Sequence, residues 1–346
     1  MLSVAALIVV IPASREGSTR PASAPAPALH VSGDQIVDPG GDPVQLNGVN
    51  RSGTEYACVQ GWGIFDGPSD QVSVSAMASW NVHVVRVPLN EDCWLGINGV
   101  KPAYGGAAYR TAVGGFLRLL ESNGMNVILD LHWNVPGTEL AAGQQKMPDF
   151  DHSPAFWRSV ASWFGQDRAV LFDLYNEPHD VGWTCWLRGC MVDGWRAVGM
   201  QGLVTTVRRT GAQNVLMLGG LGWAGDLTRW HAHMPSDPLG QLVASWHDYN
   251  FGGCVTQTCW EAQVAGVGEA APILFGEFGE TGCGHSFVDS LMAWADGQGI
   301  GYLAWTWDAW PTCDGPTLIL DYSGTPTTYG QGVHDHFVGR FPPPGP

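Results

Sequence analysis

The sequence predicts an α/β protein built on a (β/α)8 (TIM) barrel, on three observations. Eight short apolar stretches recur along the chain, and each is followed by enough residues to form a helix. Regular alternation of strand and helix indicates a parallel sheet with right-handed crossovers. Eight such units over roughly 310 residues fit a closed barrel with some long loops. The competing architecture, an open doubly wound sheet, usually has a glycine-rich phosphate-binding turn after its first strand, and residues 48–53 lack that pattern.

Each predicted strand is short and apolar, as strands buried on both faces of a parallel sheet are. We place the eight strands at Val44–Asn50, Val82–Leu89, Asn126–His132, Val170–Glu177, Asn214–Leu218, Leu242–His247, Pro272–Glu277 and Gly301–Trp307. Helices between them are predicted at Gln71–Trp80, Ala107–Ser122, Pro154–Trp163, Gly194–Arg209 and Ser286–Gly297. Before the barrel we predict a short hairpin of Gln35–Val37 with Pro43–Gln45, because Pro-Gly-Gly between them favours a turn.

The ends of the chain differ in composition from the barrel segment, which we assign to residues 29–340. Met1–Ile11 is apolar, about as long as the hydrophobic part of an export signal and too short to span a bilayer. The following residues up to Pro27 are rich in Ala, Ser and Pro, so residues 1–28 are predicted to be an export segment and linker. Residues 341–346 form a proline-rich tail. We therefore expect one barrel domain in a secreted protein.

Charge and aromatic content narrow the range of partners. A formal charge of −16 with 16 Lys and Arg residues argues against binding to nucleic acid or to an anionic membrane. The chain also contains 17 Trp residues, a type that is seldom fully buried, so we expect some of them to line a surface or cleft. Indole rings stack on the flat C–H faces of sugars, which gives a first indication of a carbohydrate partner.

Eight cysteines, an even number, predict disulfide bonds in an oxidising compartment. Two pairs are close in sequence, Cys185–Cys190 and Cys254–Cys259, and the other four could pair as Cys58–Cys93 and Cys283–Cys313. The rival interpretation is a zinc site. The spacing does not favour it, because it contains no Cys-x-x-Cys and no histidine at ligand spacing. We therefore predict disulfide bonds and no bound metal.

Two predicted strands end in a carboxylate. The apolar run that begins at Leu171 stops at Asn-Glu-Pro, which places Glu177 at its tip, and the proline cannot donate to a sheet ladder. The stretch Pro272–Gly279 has the same design and carries Glu277. Residues at the carboxyl ends of barrel strands converge on one rim. The pair therefore indicates chemistry that uses two carboxyl groups.

Polar or aromatic groups end other predicted strands on the same rim. None is specific alone, because a single histidine or arginine at a strand end is more often structural. Together they suit one reaction and add the candidates Arg86, His132, Asn176, His247, Tyr249 and either Trp305 or Trp307. Trp133, Trp94 and Trp310 are further candidates for sugar platforms, with ordinary packing as the alternative for each.

The combined pattern resembles glycoside hydrolase family 5, the family of many cellulases and β-mannanases. The matching motifs are Leu-Tyr-Asn-Glu-Pro at 174–178 and Phe-Gly-Glu-Phe-Gly at 275–279, with Arg86 in Val-Arg-Val-Pro, His132 in Asp-Leu-His-Trp, and His-Asp-Tyr at 247–249. These motifs occur in the family's order, and the resemblance covers roughly residues 40–340. It implies a barrel with the acid/base, Glu177, on strand four and the nucleophile, Glu277, on strand seven.

Retaining glycosidases need two carboxyl groups about 5–5.5 Å apart. Glu277 would attack the anomeric carbon, and Glu177 would protonate the leaving oxygen and later deprotonate water. We expect repulsion from ionised Glu277 to raise the pKa of Glu177. Arg86 and Tyr249 would keep Glu277 charged and oriented, and Asn176 would bind the sugar 2-hydroxyl.

The remaining candidates have expected roles in substrate binding. His132 and His247 would bind sugar hydroxyls or position the carboxylates. An indole on strand eight would form the floor under the sugar at the cleavage site. Trp305 aligns best with the family's tryptophan. Trp307 lies two residues further along, on the same face of the predicted strand.

Several acidic residues have simpler interpretations. Glu280 could replace Glu277 as the working carboxylate, but it lies beyond the predicted strand end. Asp130 and Asp173 lie within strands, where structural hydrogen bonding is the more common role. Glu91 and Asp92 precede Cys93 in a predicted loop and are expected to be solvated.

We predict a secreted, monomeric, cofactor-free enzyme that cleaves a β-linked polysaccharide or oligosaccharide, with an endo-β-1,4-glucanase as the first hypothesis. Other activities of the family stay open, namely β-mannanase, exo-β-glucosidase, glycoceramidase and diglycosidase. A carbohydrate-binding barrel without catalysis is an alternative of a different class. A metal-dependent hydrolase would need a cluster of histidine and carboxylate ligands.

Overall fold

The computed structural model describes residues 25–310 and 315–340 and contains a closed barrel of eight parallel strands. The strands follow one another around the barrel in chain order: β1 Asn47–Asn50, β2 Val84–Asn90, β3 Asn126–Trp133, β4 Val170–Asp173, β5 Leu216–Gly219, β6 Leu242–Tyr249, β7 Ile273–Gly279 and β8 Gly301–Ala304. The barrel closes where β8 pairs with β1, which sets Tyr302 beside Asn47 and Leu303 beside Gly48. The predicted (β/α)8 barrel is therefore confirmed.

Helices occupy the crossovers between strands and cover the outside of the barrel. They are α1 Ala57–Gln60, α2 Gln71–Ser79, α3 Glu91–Leu95, α4 Ala107–Ser122, α5 Ser153–Phe164, α6 Trp183–Arg188, α7 Met200–Arg208, α8 Gln257–Val267, α9 Ser286–Gln298 and α10 Thr328–Arg340. Single 3₁₀ turns lie at His231–His233 and Gly268–Ala270. Within the described ranges, no helix has the length and apolar content that a membrane span requires.

Alternation along the strands sends every second side chain into the barrel. On β2, Val84 and Arg86 face inward, and on β3, Ile128 and Asp130 do the same. The inward-facing residues nearest the amino ends of the strands belong to an apolar cluster inside the barrel. This cluster comprises Leu29, Ile36, Leu46, Val84, Ile128, Leu171, Val215, Met217, Val243, Leu274 and Leu303. The barrel interior is thus apolar near the amino ends of the strands and polar near their carboxyl ends.

The outward-facing strand residues pack against the helices. Val85, Leu129 and Phe172 are buried in this outer layer, and Trp157 of α5 lies against Phe172 with ring centroids 5.5 Å apart. Both faces of each strand are therefore buried. This explains why the strands appear in the sequence as continuous apolar runs.

The N-terminal hairpin differs from the prediction. His30–Ser32 pairs with Gln35–Val37, and Gly33 supplies the positive φ of 64° that the tight turn requires. The predicted partner segment contributes only a single bridge, between Val37 and Pro43. Pro43 has no backbone N–H group to donate to the neighbouring strand, which limits pairing on that side.

The predicted helix at Gly194–Arg209 begins late, at Met200. Its first part forms a small antiparallel pair, Met191–Val192 with Trp195–Arg196. Asp193 and Gly194 both have positive φ, 47° and 90°. An Asp-Gly pair favours this two-residue hairpin turn, and the sequence analysis overlooked that signal.

Three disulfide bonds join described residues, Cys58–Cys93, Cys185–Cys190 and Cys254–Cys259. The first ties α1 to α3, and the other two close short loops. The fourth predicted pair, Cys283–Cys313, lies outside the described residues because Cys313 falls in the gap. The predicted export segment and linker up to residue 24 and the tail at 341–346 also lie outside them.

Candidate active site

A cavity of about 1000 Å³ opens at the carboxyl ends of the barrel strands. Its walls include the predicted site residues His132, Trp133, Asn176, Glu177, His247, Tyr249, Glu277 and Trp305. Arg86 is fully buried beneath them and contacts Glu277. Two candidate indoles, Trp94 and Trp307, are fully buried and do not line this cavity.

Glu277 faces the cavity because β7 is bulged. Leu274 belongs to the barrel interior, so regular alternation would point Gly276 inward and Glu277 outward. The register between β6 and β7 skips Gly276, which pairs His247 with Glu277 and turns Glu277 inward. Position 276 requires glycine, since a Cβ there would lie 2.5 Å from Ser245 Oγ.

Two donors hold the Glu277 carboxylate. Arg86 NH1 donates to Oε1 at 2.8 Å, and the Tyr249 hydroxyl donates to Oε2 at 2.6 Å. Hydrogen bonds of this kind to an ionised carboxylate are short and strong, and both stabilise its negative charge. Because the Glu277 side chain is only 5 % exposed, water competes little with these contacts.

Glu177 lies beyond the end of β4, whereas we predicted a strand that reached it. The strand ends at Asp173. Residues 174–178 form no strand and bend at Asn176, although Leu174 N donates to Met217 O at 3.0 Å and Asn176 N donates to Leu131 O at 3.1 Å. This short segment carries Glu177 to the wall of the cavity.

Glu177 and Glu277 approach each other across the cavity. An oxygen of each lies within 4.8 Å of an oxygen of the other, and His247 Nδ1 lies 3.0 Å from Glu177 Oε1. Burial raises the pKa of Glu177 to about 7. The direction agrees with our prediction, but the main cause is burial and not the repulsion from Glu277 that we expected.

Arg86 is the centre of a buried ionic network. Its Nε donates to Asp173 Oδ2 at 3.0 Å, and NH2 lies 3.1 Å from Asp130 Oδ2. NH2 also donates to Asn176 Oδ1 at 2.8 Å. Burial raises the pKa of both aspartates above the usual range, and the guanidinium opposes that rise. Asp130 and Asp173 thus hold Arg86 against Glu277, which matches the structural role considered for them.

Two histidines flank the carboxyl groups as neutral imidazoles. Burial lowers the pKa of His132 to about 4 and that of His247 to about 3. His132 Nδ1 lies 2.7 Å from Asp130 Oδ2, so a neutral ring that donates there leaves Nε2 as an acceptor beside Asn176. The His132 ring can therefore accept a hydrogen bond from a hydroxyl group without adding charge to the site. His247 Nδ1 contacts Glu177, and its Nε2 is buried without a partner among the described residues, so this ring positions the carboxyl group instead.

The two strand-eight indoles have different environments. Trp305 lines the cavity and stacks on His132, with ring centroids 5.5 Å apart and an angle of 12°. Trp307, the other candidate, is fully buried against Trp80 with centroids 4.9 Å apart. The inference that both share a face was wrong, because β8 ends at Ala304 and strand alternation does not continue past it.

The cavity wall also contains residues that the sequence did not indicate, among them Gln144, Trp223 and Phe251. Gln144 Nε2 donates to Glu177 O at 2.6 Å, and Gln144 Oε1 accepts from Asn176 Nδ2. All three lie in loops without periodic patterns. The excess of tryptophan was the one sequence signal that pointed toward a residue such as Trp223.

Other acidic residues are explained by their contacts. Glu280, the alternative carboxylate, accepts backbone hydrogen bonds from Phe287 at 2.8 Å and Val288 at 3.2 Å, and so caps the start of α9. Glu91 and Asp92 are fully buried, contrary to the predicted solvated position. They begin α3, which packs beneath the long loop after β3, and that tertiary contact leaves no mark on the local sequence.

The arrangement is suited to hydrolysis by paired carboxyl groups. One carboxylate is fixed by donors that favour its charge, and the other is buried and retains a proton up to about pH 7. Their approach to within 4.8 Å fits retaining enzymes, with carboxyl groups about 5–5.5 Å apart, better than inverting enzymes, at about 6.5–9.5 Å.

Glu177, His247 and Glu277 are also close enough to share a metal ion. Their atoms already have other partners, however. Arg86 and Tyr249 occupy both oxygens of Glu277, and His247 Nδ1 contacts Glu177. The expectation of a metal-free catalytic site stays a prediction.

Fold and site together define a (β/α)8 barrel with two carboxyl groups that face each other across a cavity, the architecture of a glycoside hydrolase. Residues 37–310 match the family model "Cellulase (glycosyl hydrolase family 5)". This match covers most of the chain, so the chain belongs to glycosyl hydrolase family 5. The resemblance seen in the motifs is thereby confirmed.

The relatives include both mannanases and endoglucanases. A mannan endo-1,4-beta-mannosidase of Streptomyces lividans is 26% identical over 304 residues, which cover 83% of this chain and 67% of the relative. Endoglucanase MaCel5A of Microbulbifer sp. (strain ALW1) is 25% identical over 198 residues, 57% of this chain and 33% of the relative. Beta-glucanase SdGluc5_26A from Saccharophagus degradans, solved in complex with cellotetraose, shares the fold with a TM-score of 0.69 at 17% identity, over 95% of this chain and 98% of that one.

Proposed function

We propose that this chain is a secreted endo-β-1,4-glucanase that retains the configuration of the anomeric carbon. The observation that carries the proposal is the contrast between its two carboxyl groups. Glu277 is held by Arg86 and Tyr249, whereas burial raises the pKa of the neighbouring Glu177 to about 7. A charged nucleophile and a protonated acid at the same pH are what the first step of a retaining mechanism requires.

In the first step, a carboxylate oxygen of Glu277 attacks the anomeric carbon and forms a glycosyl ester. The bond to the leaving oxygen breaks, and Glu177 donates its proton to that oxygen. Trp305 forms the apolar floor of the site beside His132, where a sugar ring can stack. Arg86 and Tyr249 keep the attacking oxygen in place.

In the second step, ester formation has removed the negative charge from Glu277. Water enters, Glu177 takes a proton from it, and the resulting hydroxide equivalent displaces Glu277 from the sugar. His247 stays neutral throughout, since its pKa is about 3, and its 3.0 Å contact positions Glu177 in both protonation states. Two displacements restore the original configuration.

We assign the sugar 2-hydroxyl to Asn176. Its Oδ1 accepts from Arg86 NH2 at 2.8 Å, which turns Nδ2 toward Gln144 and the cavity. A donor preorganised in this way contributes most when charge develops in the transition state. This role follows the assignment that the family motif implies for position 176.

Aromatic rings on both halves of the rim support action within a polysaccharide chain. Trp133, Tyr56 and Trp62 form a row on the β1 and β3 side, with centroids 6.2 and 6.0 Å apart. Trp223 and Phe251 follow β5 and β6 on the opposite half and are more than half exposed. Aromatic rings on both halves of the rim support the binding of several consecutive sugars.

The choice of a β-glucan as substrate rests on the relatives. Cellotetraose bound to SdGluc5_26A supports a β-glucan substrate for a protein of this fold. β-Mannanase activity is the second candidate, because the S. lividans mannanase aligns with 83% of this chain against 57% for MaCel5A. Glucose and mannose differ at the 2-hydroxyl, the group assigned to Asn176.

Secretion is part of the same proposal. The disulfide bonds Cys58–Cys93, Cys185–Cys190 and Cys254–Cys259 support it, since such bonds persist mainly in oxidising compartments. The monomeric state stays an expectation.

A substrate panel tests the activity. The purified chain is incubated with carboxymethylcellulose, mannan, xylan, and aryl β-glucoside and β-cellobioside, and products are sized over time. The proposal predicts a rapid fall in the viscosity of carboxymethylcellulose with mixed oligosaccharide products. Hydrolysis of mannan alone would replace the glucanase assignment, and hydrolysis of short aryl glycosides alone would remove the polysaccharide assignment.

A further inference from the structure

A second cluster of titratable side chains lies outside the catalytic cavity. Glu91 begins α3 directly after β2, and Asp149 and His152 lie just before α5. One potential ligand atom of each lies within 4.8 Å of the others. His152 Nδ1 is 3.8 Å from Glu91 Oε1 and 3.9 Å from Asp149 Oδ1. The three groups therefore converge on one point from two different loops.

The cluster is buried and electrostatically incomplete. Glu91 and Asp149 are fully buried, and Glu91 Oε1, the oxygen that faces His152, has no hydrogen-bond partner among the described residues. The other oxygen, Oε2, accepts from Ser153 Oγ at 2.6 Å. A buried carboxylate oxygen without a partner is costly, so this atom points to a ligand or a proton that completes the cluster.

Two buried carboxylates can be neutralised in two ways. A proton shared between Glu91 and Asp149 is one, and burial together with the charge of Asp149 does raise the pKa of Glu91 well above its usual range. The second way is a bound cation, and the position of the His152 imidazole favours it. His152 Nδ1 approaches the carbonyl of Val135 only at 3.5 Å, too far for a strong hydrogen bond, and its nearest charged neighbours are the two carboxylates.

The donor set and spacing suit a divalent transition-metal ion. Two carboxylates cancel the charge of one divalent cation, and an added imidazole nitrogen favours Zn²⁺ or Mn²⁺ over the all-oxygen sites that Mg²⁺ and Ca²⁺ prefer. Atoms 3.8 and 3.9 Å apart are close to the separation of ligands at about 2.2 Å from a shared ion. The His152 side chain is 23% exposed, which gives the ion a route from solvent.

We propose that Glu91, Asp149 and His152 form a structural site for a divalent ion of the Zn²⁺ or Mn²⁺ class. The ion clamps the start of α5 to α3 and so fixes both ends of the long loop at residues 134–152. Asn134 at the beginning of that loop already donates to Asp149 Oδ2 at 2.9 Å.

The loop fixed by the proposed ion also contacts the catalytic cavity. The same loop presents Gln144, whose Nε2 donates to Glu177 O at 2.6 Å and whose Oε1 accepts from Asn176. Tyr175, next to Asn176, donates to Asn134 Oδ1 at 2.8 Å. An ion at the cluster therefore stabilises the loop that holds the acid/base segment. This effect on catalysis rests on the proposed function, but the binding of the metal does not depend on it.

The test uses the full chain without a histidine tag. After treatment with chelator and dialysis, metal is returned as ZnCl₂, MnCl₂, MgCl₂ or CaCl₂, and bound metal and the melting temperature Tm are measured. We expect about one ion per chain and a rise in Tm of about 3–6 °C at a hundredfold excess over Kd. Mg²⁺ should produce a smaller rise. Equal Tm with chelator and with each metal, or a rise with Ca²⁺ alone, would overturn the proposal.

Two variants separate this cluster from other sites. His152→Ala should fold, because the side chain is partly exposed, and should lose both the bound ion and the metal-dependent rise in Tm. His285→Ala is the matched control, since His285 forms an exposed pair with Asp289 on α9, and it should keep both. A metal-dependent rise that persists in His152→Ala would place the ion elsewhere and contradict the proposal.

A third variant separates a cation from a shared proton. The glutamine in Glu91→Gln resembles a protonated glutamate. If the carboxylates share a proton, the variant should keep the Tm of the unmodified chain in chelator, and metal should not change the Tm of either protein. The metal account predicts a metal-dependent rise for the unmodified chain that Glu91→Gln abolishes. Hydrolytic activity is not needed for any of these readouts, so failure here is distinct from failure of the proposed function.

Discussion

Arg86 NH1 lies 2.8 Å from Glu277 Oε1 at the floor of the cavity, and the guanidinium is completely buried. Asp130 and Asp173 hold the arginine from β3 and β4, so its position is set by the barrel and not by a loop. With Tyr249 of β6, which donates to the other oxygen, the charge and orientation of the proposed nucleophile depend on residues from β2, β3, β4 and β6. Removal of Arg86 would leave two buried aspartates unpaired, so it should lower the stability of the fold as well as catalysis.

The Tyr249 hydroxyl is the contact to Glu277 that can be removed with least disturbance. Tyr249→Phe deletes the 2.6 Å hydrogen bond and keeps the ring. A hydrogen bond to a charged group contributes about 1.5–3 kcal/mol, so we expect kcat to fall by about 10- to 100-fold with little change in Tm. Unchanged kcat would show that the hydroxyl does not support the nucleophile.

Glu177→Gln tests the acid/base assignment. General acid catalysis contributes about 10²–10⁴-fold, and kcat on polysaccharide should fall by that amount. Aryl glycosides with a good leaving group need less protonation, so the first step on those substrates should be affected much less.

Glu280→Gln is the matched control for that experiment. Glu280 caps α9 through backbone contacts to Phe287 and Val288, so its replacement should lower Tm and leave kcat nearly unchanged. A loss of kcat in Glu280→Gln as large as that in Glu177→Gln would favour Glu280 as the working carboxylate in place of Glu277.

Activity should decline on the alkaline side at about pH 7. Burial raises the pKa of Glu177 to about 7, so below that pH the group holds the proton it must donate, and above it the proton is lost. The measurement is kcat/KM against pH, which reports the free enzyme. The residual activity of Glu177→Gln should lack this alkaline decline, and an identical decline in that variant would assign it to another group.

The two strand-eight indoles should respond differently to truncation. Trp305→Ala removes the floor of the cavity and should lower kcat/KM while Tm changes little. Trp307→Ala leaves a large void beside Trp80 and should destabilise the fold by about 3–5 kcal/mol with kcat of the folded fraction preserved. Loss of kcat/KM in folded Trp307→Ala equal to that in Trp305→Ala would contradict the placement of Trp307 outside the site.

Much of the fold could be predicted because parallel strands buried on two faces leave long apolar runs in the sequence. Polar residues that interrupt or end such runs, as Arg86, Asn176 and Glu277 do, then converge at one end of the barrel. Recognition of the site needed only the order of these residues and the rule that barrel strands present their carboxyl ends to one rim.

The rest depends on tertiary contacts that no local pattern records. The end of β8 at Ala304 decides that Trp305 reaches the cavity and Trp307 does not. Burial of Glu91 follows from packing of α3 beneath a distant loop, and the inward turn of Glu277 depends on the bulge at Gly276. Each of these features depends on where one or two residues lie relative to their neighbours in the fold. In a strand, a shift of one residue exchanges the two faces.

Covalent trapping tests the central claim most directly. The chain is incubated with the activated 2-deoxy-2-fluoro analogue of its best aryl glycoside, which slows the second step, and the labelled peptide is identified by mass spectrometry. We predict one fluoroglycosyl group per chain, attached to Glu277 and absent from Glu277→Gln. A label on Glu177 or Glu280, or turnover of the parent glycoside with inversion of configuration, would contradict the account.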